Sequence, residues 1–598
     1  MNPESVYRKR IEVIDLQLNK LKKIELVLSL LKLCFVVGGV FFLFRVALHY
    51  TLFALTGFLF FLVLFIFSVL VHEHYIRKRN FQRILENINR DEIQACHGAF
   101  LDYGNGSEFD DSDHEYTSDL GIFEERGVFH FLNRMTTSLG KKALSDWLKV
   151  FPGSREIEEI KSKQEAVKEL SEKIDFRQNI QAQGNTIEDS LEKLQSVQDF
   201  FAESHVVLGK GAFIAFIHVF PLVTVASIVL VFFNFSWLFP VGLALVQGIV
   251  NRSYRKKVSR IYSLTAKNYK IMNVYSKIIA EIEKENFGAS KLDELSHHFF
   301  VKSKPASFYI KKLASRFQYF EARASNMIHF LMNNIFFWDF HCIYRIEKWR
   351  VDLKPEIDSW FKTIGQFDAM ASLGTAYFNH PDWCMPELFN DGFQIHASDV
   401  GHPLIPPSER ICNSIELNGE TNIAIITGPN MAGKTTLLKT IGVNSVLAFA
   451  GAPVCARRFV ISPLRIYTSM KVSDSLDKGL SLFYAELQRL KMVLDAILRK
   501  EPVFFLIDEM LKGTNELDRH KGAIALIRQL IEHRAQGMVA THDLKLTKLE
   551  QDYPESIHNY YFDGYIKDDK LIFDYVLKKG ICKSSNALEL MKRIGIKV

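Results

Sequence analysis

The sequence of 598 residues has few cysteines and little net charge. Its seven cysteines are scattered and form no C-x-x-C pair, which favours reduced cytosolic thiols over a disulfide framework or a zinc site. The net charge is +6, and much of the Lys/Arg excess lies beside apolar segments, so the charge balance gives no strong indication of nucleic acid binding. No small-residue cleavage site follows the long charged N-terminal stretch, which argues against a cleaved signal peptide.

Apolar residues are abundant, and they are concentrated in long runs. Residues 26–48 are apolar apart from Lys32 and Arg45, and residues 52–71 are apolar without interruption. Each run has roughly the 20 residues that a helix needs to cross a bilayer. The sequence therefore predicts a first transmembrane hairpin, with buried core helices as the alternative.

A second predicted hairpin interrupts the helical region. Residues 211–233 are long enough to span, whereas the apolar run at 237–250 is shorter. This fourth segment is compatible with a tilted span, a re-entrant segment or a buried core helix. We therefore expect about four spans.

Basic residues flank both hairpins on one side. "YRKR" precedes the first span, "IRKRNFQR" follows the second and "NRSYRKKVSR" follows the fourth, while the hairpin tips carry no Lys or Arg. The positive-inside rule then places both termini and the soluble parts in the cytoplasm. The predicted localisation is the inner (cytoplasmic) membrane, as a multi-pass protein.

The stretch "GPNMAGKT", residues 428–435, fits the phosphate-loop pattern G-x-x-x-x-G-K-[ST]. An apolar strand is predicted before it and a helix after it, which is the context that the motif requires. Lys434 is expected to reach the β- and γ-phosphates of ATP, and the Thr435 hydroxyl to bind Mg²⁺. The predicted nucleotide-binding residues are Gly428, Pro429, Asn430, Met431, Ala432, Gly433, Lys434, Thr435 and Thr436.

Acidic and imidazole side chains follow two further apolar runs. Residues 503–507 read as a buried parallel strand that ends in Asp508 and Glu509. We expect Asp508 to hold the Mg²⁺ shell and Glu509 to polarise the attacking water. A second strand ends at His542, placed to contact the γ-phosphate. Strands ending in two acids and single buried histidines also occur without catalysis, but the phosphate loop favours the catalytic assignment of Glu509, His542 and Lys434.

The sequence segments around these motifs resemble those of one protein family. "TGPNMAGKTT", "LIDEMLKGTNELD", "ATHD" and "GLSLFYAELQRL" are similar to the MutS ATPases of DNA mismatch repair. The resemblance implies a dimer with composite ATP sites, in which Ser481 completes the partner's site; a plain helix N-cap is the alternative role, and both can hold. It also implies that the C-terminal "LKKGICKSSNALELMKRIGI" is a helical dimerisation element. Segments 129–148, 157–170 and 364–388 resemble the family's lever and core helices.

Several features depart from the repair enzymes. Residues 511–516 read "LKGTNE" where those enzymes usually have G-R-G-T-S-T, and the adenine-stacking aromatic is replaced near Arg410. By this resemblance, we expect the first hairpin to stand in the place of the family's mismatch-reading and connector domains. The acidic run at 108–115 is expected to be a solvated linker, because it lacks the glycine of a Ca²⁺ loop.

The predicted fold is multidomain: transmembrane α-helical hairpins, an α-helical lever/core domain and an α/β P-loop ATPase domain of the ABC/MutS type. The expected boundaries are a cytoplasmic N-terminal segment at 1–25, hairpin 1 at 26–73, a linker at 74–118, core and lever helices at 119–208 and 252–395, hairpin 2 at 209–251 and the ATPase domain at 396–598.

The predicted function is that of a membrane-anchored, MutS-like ATPase that uses ATP and Mg²⁺. The expected partners are a second copy of the chain and duplex or branched DNA. We expect the DNA to be bound without specific recognition of mismatches. The sequence identifies no DNA-binding residue: the basic and aromatic stretch with Lys302, Lys304, Lys311, Lys312 and Arg316 reads equally as a DNA-touching region or as a solvated helical face. The alternative function is an ATP-driven membrane switch that does not bind DNA. An ABC-type transporter is weakest, because no LSGGQ-like signature is present.

Overall fold

The structure of the protein is a computed structural model. It describes residues 2–582 except 50, 152, 154–155, 188, 266–267, 302–303, 322–325, 391, 420–421, 471–481, 513 and 568–569. Within these residues, a helical N-terminal half precedes a C-terminal α/β domain.

Two long antiparallel helices form the first hairpin: α1 (Pro3–His49) and α2 (Leu52–Cys96). Their seam is set by paired side chains one heptad apart on each helix, with Glu25 beside Arg79 and Lys32 beside His72. Further along, a Cβ on Gly57 would lie 2.4 Å from the ring of Phe42, so only glycine lets the helices approach this closely. Residues 74–96, assigned to a linker from the sequence, continue α2 without a break.

The second hairpin consists of α8 (Gly211–Val231) and α9 (Leu238–Thr265). Three helices of the described chain are long and apolar enough to cross a membrane by length and composition, namely α1, α2 and α8. Helix α9 is not among them, because its apolar part ends at Val250 and the charged run after it belongs to the same helix. The expected count of about four spans is thus reduced to three such helices.

The helical core lies between and after the hairpins. Its helices are α3 (Val128–Leu132), α4 (Ser138–Trp147), α5 (Ile157–Glu172), α6 (Ile174–Gly184), α7 (Leu191–Ala202), α10 (Asn268–Lys284), α11 (Ser290–His297), α12 (Ala306–Glu321), α13 (Asn326–Phe336) and α14 (Trp338–Asn379), with a two-stranded ribbon of β1 (Phe300–Val301) and β2 (Lys304–Pro305). Helix α14 has 42 residues and packs against α4, α5 and α12 along its length. It therefore runs through the core as a single long element.

A buried polar network joins the base of the first hairpin to the C-terminal end of α14. The Tyr7 hydroxyl donates to Asn379 at 2.8 Å, and the Asn379 amide donates to Glu92 at 2.7 Å. Arg134 donates to the other oxygen of Glu92 at 2.6 Å, and both of these charged side chains are buried. Breaking a buried pair of this kind leaves an uncompensated charge, so the network fixes the hairpin to the core.

The C-terminal domain contains two sheets. A six-stranded sheet has the order β14-β11-β6-β10-β9-β8, parallel except for β14, and a four-stranded sheet has the order β3-β7-β4-β5. The strands are β3 (Glu387–Leu388), β4 (Gln394–Val400), β5 (Asn413–Asn418), β6 (Asn422–Thr427), β7 (Arg458–Ile461), β8 (Arg465–Ser469), β9 (Val503–Asp508), β10 (Gln536–Ala540), β11 (Ile557–Tyr561) and β14 (Lys578–Lys579), beside a ribbon of β12 (Gly564–Lys567) and β13 (Lys570–Phe573). The helices are α15 (Lys434–Ala450), α16 (Leu482–Leu498), α17 (Glu516–Glu532) and α18 (Leu549–Asp552). Because β6, β9 and β10 are parallel, their carboxyl ends meet at one edge of the sheet.

The acidic segment, expected to be a solvated linker, packs against the C-terminal domain instead. Arg489 donates to the carbonyls of Ser112 and His114, each at 2.8 Å, and the Met470 amide donates to Asp119 at 3.0 Å. Tyr116, at the end of the run, is buried and donates to the Leu148 carbonyl at 2.7 Å. Backbone carbonyls and one aromatic ring hold this segment in place, while its carboxylates remain largely at the surface.

Candidate nucleotide site

The phosphate loop joins β6 to α15 at the shared edge of the sheet. Gly428 has φ +145° and Gly433 has φ +106°, both values that side chains disfavour. A Cβ on Gly428 would lie 2.7 Å from the Phe562 carbonyl, so glycine is also required there by space. The loop thus turns sharply and aims the N-terminus of α15, which begins at Lys434, at the space in front of the sheet.

Lys434 crosses the mouth of this loop. Its ammonium donates to the carbonyls of Gly428 and Pro429, each at 3.0 Å, and lies 3.1 Å from Nε2 of His542. Desolvation lowers the pKa of Lys434, while the carboxylates of Asp508 and Glu509 act in the opposite direction. The ammonium is therefore held at the centre of the site, next to two acids and one imidazole.

Thr435 and Asp508 meet across the site, as the sequence predicts. The Thr435 hydroxyl donates to Oδ2 of Asp508 at 2.7 Å, although β10 separates the strands that precede them. A hydroxyl and a carboxylate are hard oxygen ligands of the kind that Mg²⁺ prefers. This donor set fits a magnesium ion bound between the loop and the end of β9.

Glu509 and His542 form the other side of the site. Oε1 of Glu509 lies 2.8 Å from Nε2 of His542, and Lys512 lies 3.4 Å from the second carboxylate oxygen. Glu509 has φ +55°, and its amide donates to Ala540 at 2.9 Å. Non-glycine residues in this left-handed region are uncommon, and here the conformation turns the carboxylate from the strand end towards His542.

The surroundings of His542 favour the neutral form of its imidazole. Desolvation lowers the pKa of its imidazole, and the nearby Lys434 charge adds to the effect, against the opposing pull of Glu509 and Asp508. A neutral imidazole carries one proton, so Nε2 either donates to Glu509 or accepts from Lys434. His542 therefore links the acid to the lysine without adding a further charge.

Glu486 supports the catalytic loop from behind, and the sequence did not indicate this role. Its buried carboxylate accepts from the amides of Leu511 and of Lys512, the latter at 3.0 Å. Burial raises the pKa of Glu486, against the lowering effect of these two amides. The signal was present in "GLSLFYAELQRL", where Glu486 is an acid on the inner face of α16.

A second cavity of about 470 Å³ adjoins the phosphate site. Gly433, Thr436 and Tyr575 line both spaces, and the remaining walls include His402, Ile411, Pro406 and Phe562. The Tyr575 ring is 45% exposed at the junction, and Asn413 fixes its loop by donating to the Tyr575 carbonyl at 3.0 Å and accepting from Leu577 at 2.7 Å. The lining combines apolar side chains with polar groups such as Asn413 and Thr440, a mixture that suits a nucleoside.

Arg410 does not replace the adenine-stacking aromatic. Its guanidinium points into the domain, donates twice to the Ile405 carbonyl at 2.8 and 3.0 Å and lies 5.9 Å from the Trp383 ring centroid. The neighbouring Ile411 and the distant Tyr575 border the cavity in its place. Tyr575 escaped the sequence analysis because 135–175 residues separate it from the other residues that line the cavity, except Phe562.

One end of α2 touches this cavity from outside. Gly98, just past the last turn of α2, has its Cβ position 3.5 Å from the ring of Pro406, which lines the nucleoside cavity. Pro406 and Leu404 also border an adjacent surface pocket with the 98–102 segment. The C-terminal end of the first hairpin therefore lies beside the wall of this cavity.

The described structure brings together nearly all of the predicted site residues. Six of the loop and helix positions, Asn430, Met431, Gly433, Lys434, Thr435 and Thr436, line a pocket of about 310 Å³ with Asp508, Glu509, His542 and Tyr575. Gly428 and Pro429 hold Lys434, and Ala432 is buried beneath the loop. Ser481 and most of the predicted dimerisation element lie outside the described residues.

Comparison with known proteins identifies relatives of this domain. The MutS domain V family model matches residues 424–597. DNA mismatch repair protein MutS of Persephonella marina is 27% identical over 263 residues, which cover 43% of this chain and 30% of that protein. The MutS proteins of Natronomonas pharaonis and Aquifex pyrophilus are each 29% identical over 239 and 238 residues, covering 39% of this chain and 27% of theirs.

The chain spans less than a third of the length of these curated relatives. The matched region includes the phosphate loop, the Asp508–Glu509 strand end and His542, which the structure joins in one pocket. The chain therefore carries a region similar to MutS domain V, and the comparisons support a divergent relative of the MutS proteins.

Proposed function

We propose that the chain is a membrane-anchored, MutS-type ATPase that hydrolyses ATP with Mg²⁺ in the pocket of Lys434, Thr435, Asp508, Glu509 and His542. The observation that carries this proposal is the meeting of five side chains from three separate segments at one edge of the sheet. ATPase chemistry is also typical of the MutS family. The cavity beyond Thr436 supplies space for the nucleoside next to the phosphate loop.

Each side chain has a distinct task in hydrolysis. Lys434 and the loop amides stabilise charge on the phosphate oxygens, and a bound Mg²⁺ supplies further charge neutralisation between Thr435 and Asp508. Glu509 orients the water for attack on the γ-phosphorus, and it accepts the proton as the bond to the ADP oxygen breaks. His542 holds Glu509 at 2.8 Å and keeps its carboxylate aimed at the water.

We infer that two copies act together. The MutS resemblance assigns Ser481 to the partner's nucleotide, and α16, which begins at Leu482, leads directly to Glu486 and the catalytic loop. A partner that engages residue 481 would therefore act on the same helix that supports Glu509. ATP binding would close the dimer, and hydrolysis would reopen it.

Membrane anchoring is proposed from the outer surfaces of the hairpins. Large apolar side chains are exposed along α1, α2 and α8, including Phe53 at 77% and Phe232 at 85%. Contiguous apolar surface on this scale is unfavourable in water and favourable in lipid. By the positive-inside rule, the basic flanks support a cytoplasmic location for the nucleotide site.

DNA is the proposed partner of the dimer, by relation to the mismatch repair proteins. We expect this binding to rest on phosphate contacts, which carry no base information. The competing function is an ATP-driven membrane switch, which one observation favours: the tip between α8 and α9 is apolar and exposed, with Phe233 and Trp237. This tip suits lipid better than nucleic acid.

Two measurements on the purified full-length protein test the proposal. ATP turnover by the wild-type protein should be lost in Lys434→Ala and should persist in Glu516→Gln, which removes an exposed carboxylate on α17. Filter binding with matched and G·T-mismatched duplexes should then show salt-sensitive retention of both. Turnover without any DNA retention at low salt would establish the membrane switch, and turnover unchanged in Lys434→Ala would refute the assigned site.

A further inference from the structure

Helix α13 has polar side chains on its inner face and apolar side chains on its outer face. Phe330 is 66% exposed, Leu331 50% and Phe336 39%. The three polar side chains that the structure describes on this helix, by contrast, all have partners within the protein. A surface helix in water shows the opposite arrangement, with its apolar stripe towards the core. The outer face of α13 therefore suits an apolar environment better than water.

The inner face of α13 is organised around Asp339, a buried residue at the start of α14. The Asp339 carboxylate lies 2.9 Å from Nε2 of His329 and accepts from the Asn333 amide at 3.3 Å. The backbone amide of Asp339 donates back to Oδ1 of Asn333 at 3.1 Å, and Oδ1 of Asn334 accepts from Asn251 at 3.4 Å. Polar groups in a lipid environment must be satisfied within the protein, and the inner face of α13 meets this condition.

The end of α13 is fixed to α9 at the point where the apolar run of that helix gives way to charged residues. Gln247, which is fully buried, donates to the Ile335 carbonyl at 3.1 Å, and Asn251 donates to the Asn333 carbonyl at 3.0 Å. The exposed apolar side chains of α13 all lie within three residues of Asn333, or about 5 Å along the helix axis. They are therefore close to the boundary between the apolar and charged parts of α9.

The residue that follows α13 touches a candidate span directly. The Phe337 ring centroid lies 5.5 Å from that of Phe216 and 6.3 Å from that of Phe220. Both partners belong to the first three turns of α8, which is long and apolar enough to cross a membrane. On α9, the exposed Arg252 and Arg255 follow just beyond the contact with α13. Helix α13 thus lies between an apolar and a basic segment, as expected at the membrane–water interface around a spanning hairpin.

We propose that α13 is an interfacial helix that inserts the side chains of Phe330, Leu331 and Phe336 into the lipid leaflet next to the nucleotide domain. This inference rests on the membrane anchoring proposed above. An amphipathic helix of this kind lies in the plane of the interface, with its apolar face buried about 5–10 Å into the boundary between headgroups and acyl chains. The partner of this surface is therefore lipid, and the three side chains add to the apolar area that the hairpins expose.

Nucleic acid and a second copy of the chain fit this surface less well. The three exposed side chains carry neither a hydrogen-bond donor nor a positive charge for a phosphate. A second copy would have to displace lipid from α13 beside α8, and lipid tails are as apolar as the side chains that would replace them. Little free energy would be gained by that exchange.

The lipid contact would hold one end of the longest helix of the core. Phe337 joins α13 to α14 with φ +51°, and α14 runs from there to Asn379, which accepts from Tyr7 in the buried network. The 42 residues of α14 correspond to about 63 Å. The core would then be attached to the membrane at α13 as well as at the two hairpins.

The test measures the surroundings of single spin labels on full-length protein reconstituted in nanodiscs. Leu331→Cys is labelled in a background that lacks the seven native cysteines, and the collision rates of the label with oxygen and with a water-soluble nickel complex are compared. Oxygen is enriched in lipid and the nickel complex in water. We therefore expect the oxygen-to-nickel ratio at Leu331 to exceed severalfold the ratio of the control Leu498→Cys, at a leucine that is 59% exposed on α16.

Val63→Cys, at a position that is 64% exposed within the uninterrupted apolar run of α2, is the lipid reference. A lipid-type ratio at Val63 with a water-type ratio at Leu331 would overturn the interfacial helix and leave the anchoring intact. Water-type ratios at both positions would overturn the anchoring as well. A label at Leu331 that is protected from both reagents would place a protein partner or a second copy on α13, and would equally overturn the lipid contact.

A second measurement needs no substitution. Wild-type protein is irradiated in nanodiscs that contain a phospholipid with a diazirine group on its acyl chain, and the labelled peptides are identified by mass spectrometry. We expect label on the peptide that contains Phe330 and Leu331, and none on the peptide that contains Leu498. Label on α1 and α2 without label on α13 would overturn the proposal even if the cysteine-free variants were unstable.

Discussion

The candidate nucleotide site and the two apolar hairpins are built on opposite principles. At the site, five polar side chains each have a defined partner within about 3 Å, and the backbone takes unusual conformations at Gly428, Gly433 and Glu509. On the hairpins, polar contacts are confined to a narrow seam, while many apolar side chains face outwards. The proposed catalysis at the site depends on the positions of single atoms. The proposed membrane anchoring by the hairpins depends on the total apolar area that they expose.

The largest expected effect therefore comes from one atom exchanged at the site. Glu509→Gln keeps the shape of the side chain but removes the proton acceptor, so we expect ATP binding to persist and hydrolysis to fall by about three orders of magnitude. Single-turnover hydrolysis and nucleotide binding would be measured on the same preparation. Turnover at the wild-type rate in Glu509→Gln would contradict the assignment of the base.

If each ATP site contains residues of both subunits, mixing two inactive variants should restore ATP turnover. Lys434→Ala removes a residue of the subunit's own site, and Ser481→Arg blocks the one contributed to the partner. Each homodimer should be inactive, and verified heterodimers should regain about one of two sites, hence roughly half of the wild-type turnover. No recovery in heterodimers would mean that Ser481 serves only its own helix.

Acid should weaken the junction between the core and the nucleotide domain. Buried His380, which stacks on Trp383 at a centroid distance of 4.4 Å, has its pKa lowered to about 4, chiefly by desolvation. Between pH about 6.5 and pH about 4 the unfolded chain binds a proton at this histidine that the folded chain does not bind. As the pH falls through this window, the free energy of unfolding therefore decreases by up to about 3 kcal/mol. Above pH about 6.5 this contribution to stability is fully present.

Thermal unfolding in detergent across this pH range would measure the effect. His380→Gln should flatten the pH dependence, although it also disturbs the stack at every pH. His297→Gln, at an exposed position on α11, is the control and should leave the slope unchanged. An equal slope in wild-type and His380→Gln protein would show that other groups cause the acid sensitivity.

A moderate effect is expected from overfilling the seam of the first hairpin. Gly57→Leu places a side chain where the Phe42 ring lies, and such overpacking costs about 1–3 kcal/mol. Phe60→Leu, at an outward position that is 60% exposed, should be nearly neutral. Denaturation in mixed micelles compares the two. Equal stability of the two variants would contradict the close approach of α1 and α2 at Gly57. We expect ATP turnover to be similar in both variants.

The smallest expected difference concerns the DNA itself. Affinities for a G·T heteroduplex and its matched control should agree within tenfold, or about 1.4 kcal/mol, while both weaken steeply as salt rises. Titrations at several salt concentrations would show this. A clear tightening on the mismatch would reinstate specific mismatch reading.

The parts that the sequence predicts are those in which function is encoded by neighbouring residues. The phosphate loop is one continuous motif, and Asp508 with Glu509 follows a run that can only be a buried strand in this context. Parallel strands then bring these residues and His542 together, because their carboxyl ends share an edge. The chemistry of the site was accessible for this reason.

The parts that escaped prediction depend on contacts between distant segments. Tyr575 enters the nucleoside cavity from a loop held by Asn413, and no local pattern marks either residue. Arg410 appeared to border the base, but the Ile405 carbonyl and the Trp383 ring draw it inwards. The charged residues of 74–96 obscured the continuation of α2, because a helix can change from an apolar to a charged surface without ending.

The position of Gly98 beside Pro406 makes α2 a long lever arm that begins at the wall of the cavity. The helix is 45 residues, or about 68 Å, of unbroken hydrogen-bonded rod. One end rests beside the wall of the nucleoside cavity, and the other carries the apolar run. A tilt of only about 3° around the cavity end displaces the far end by about 3.5 Å over that length. A small displacement of Pro406, which leaves the fold of its own domain unchanged, would therefore move the far end of α2 by a distance similar to the size of a lipid headgroup.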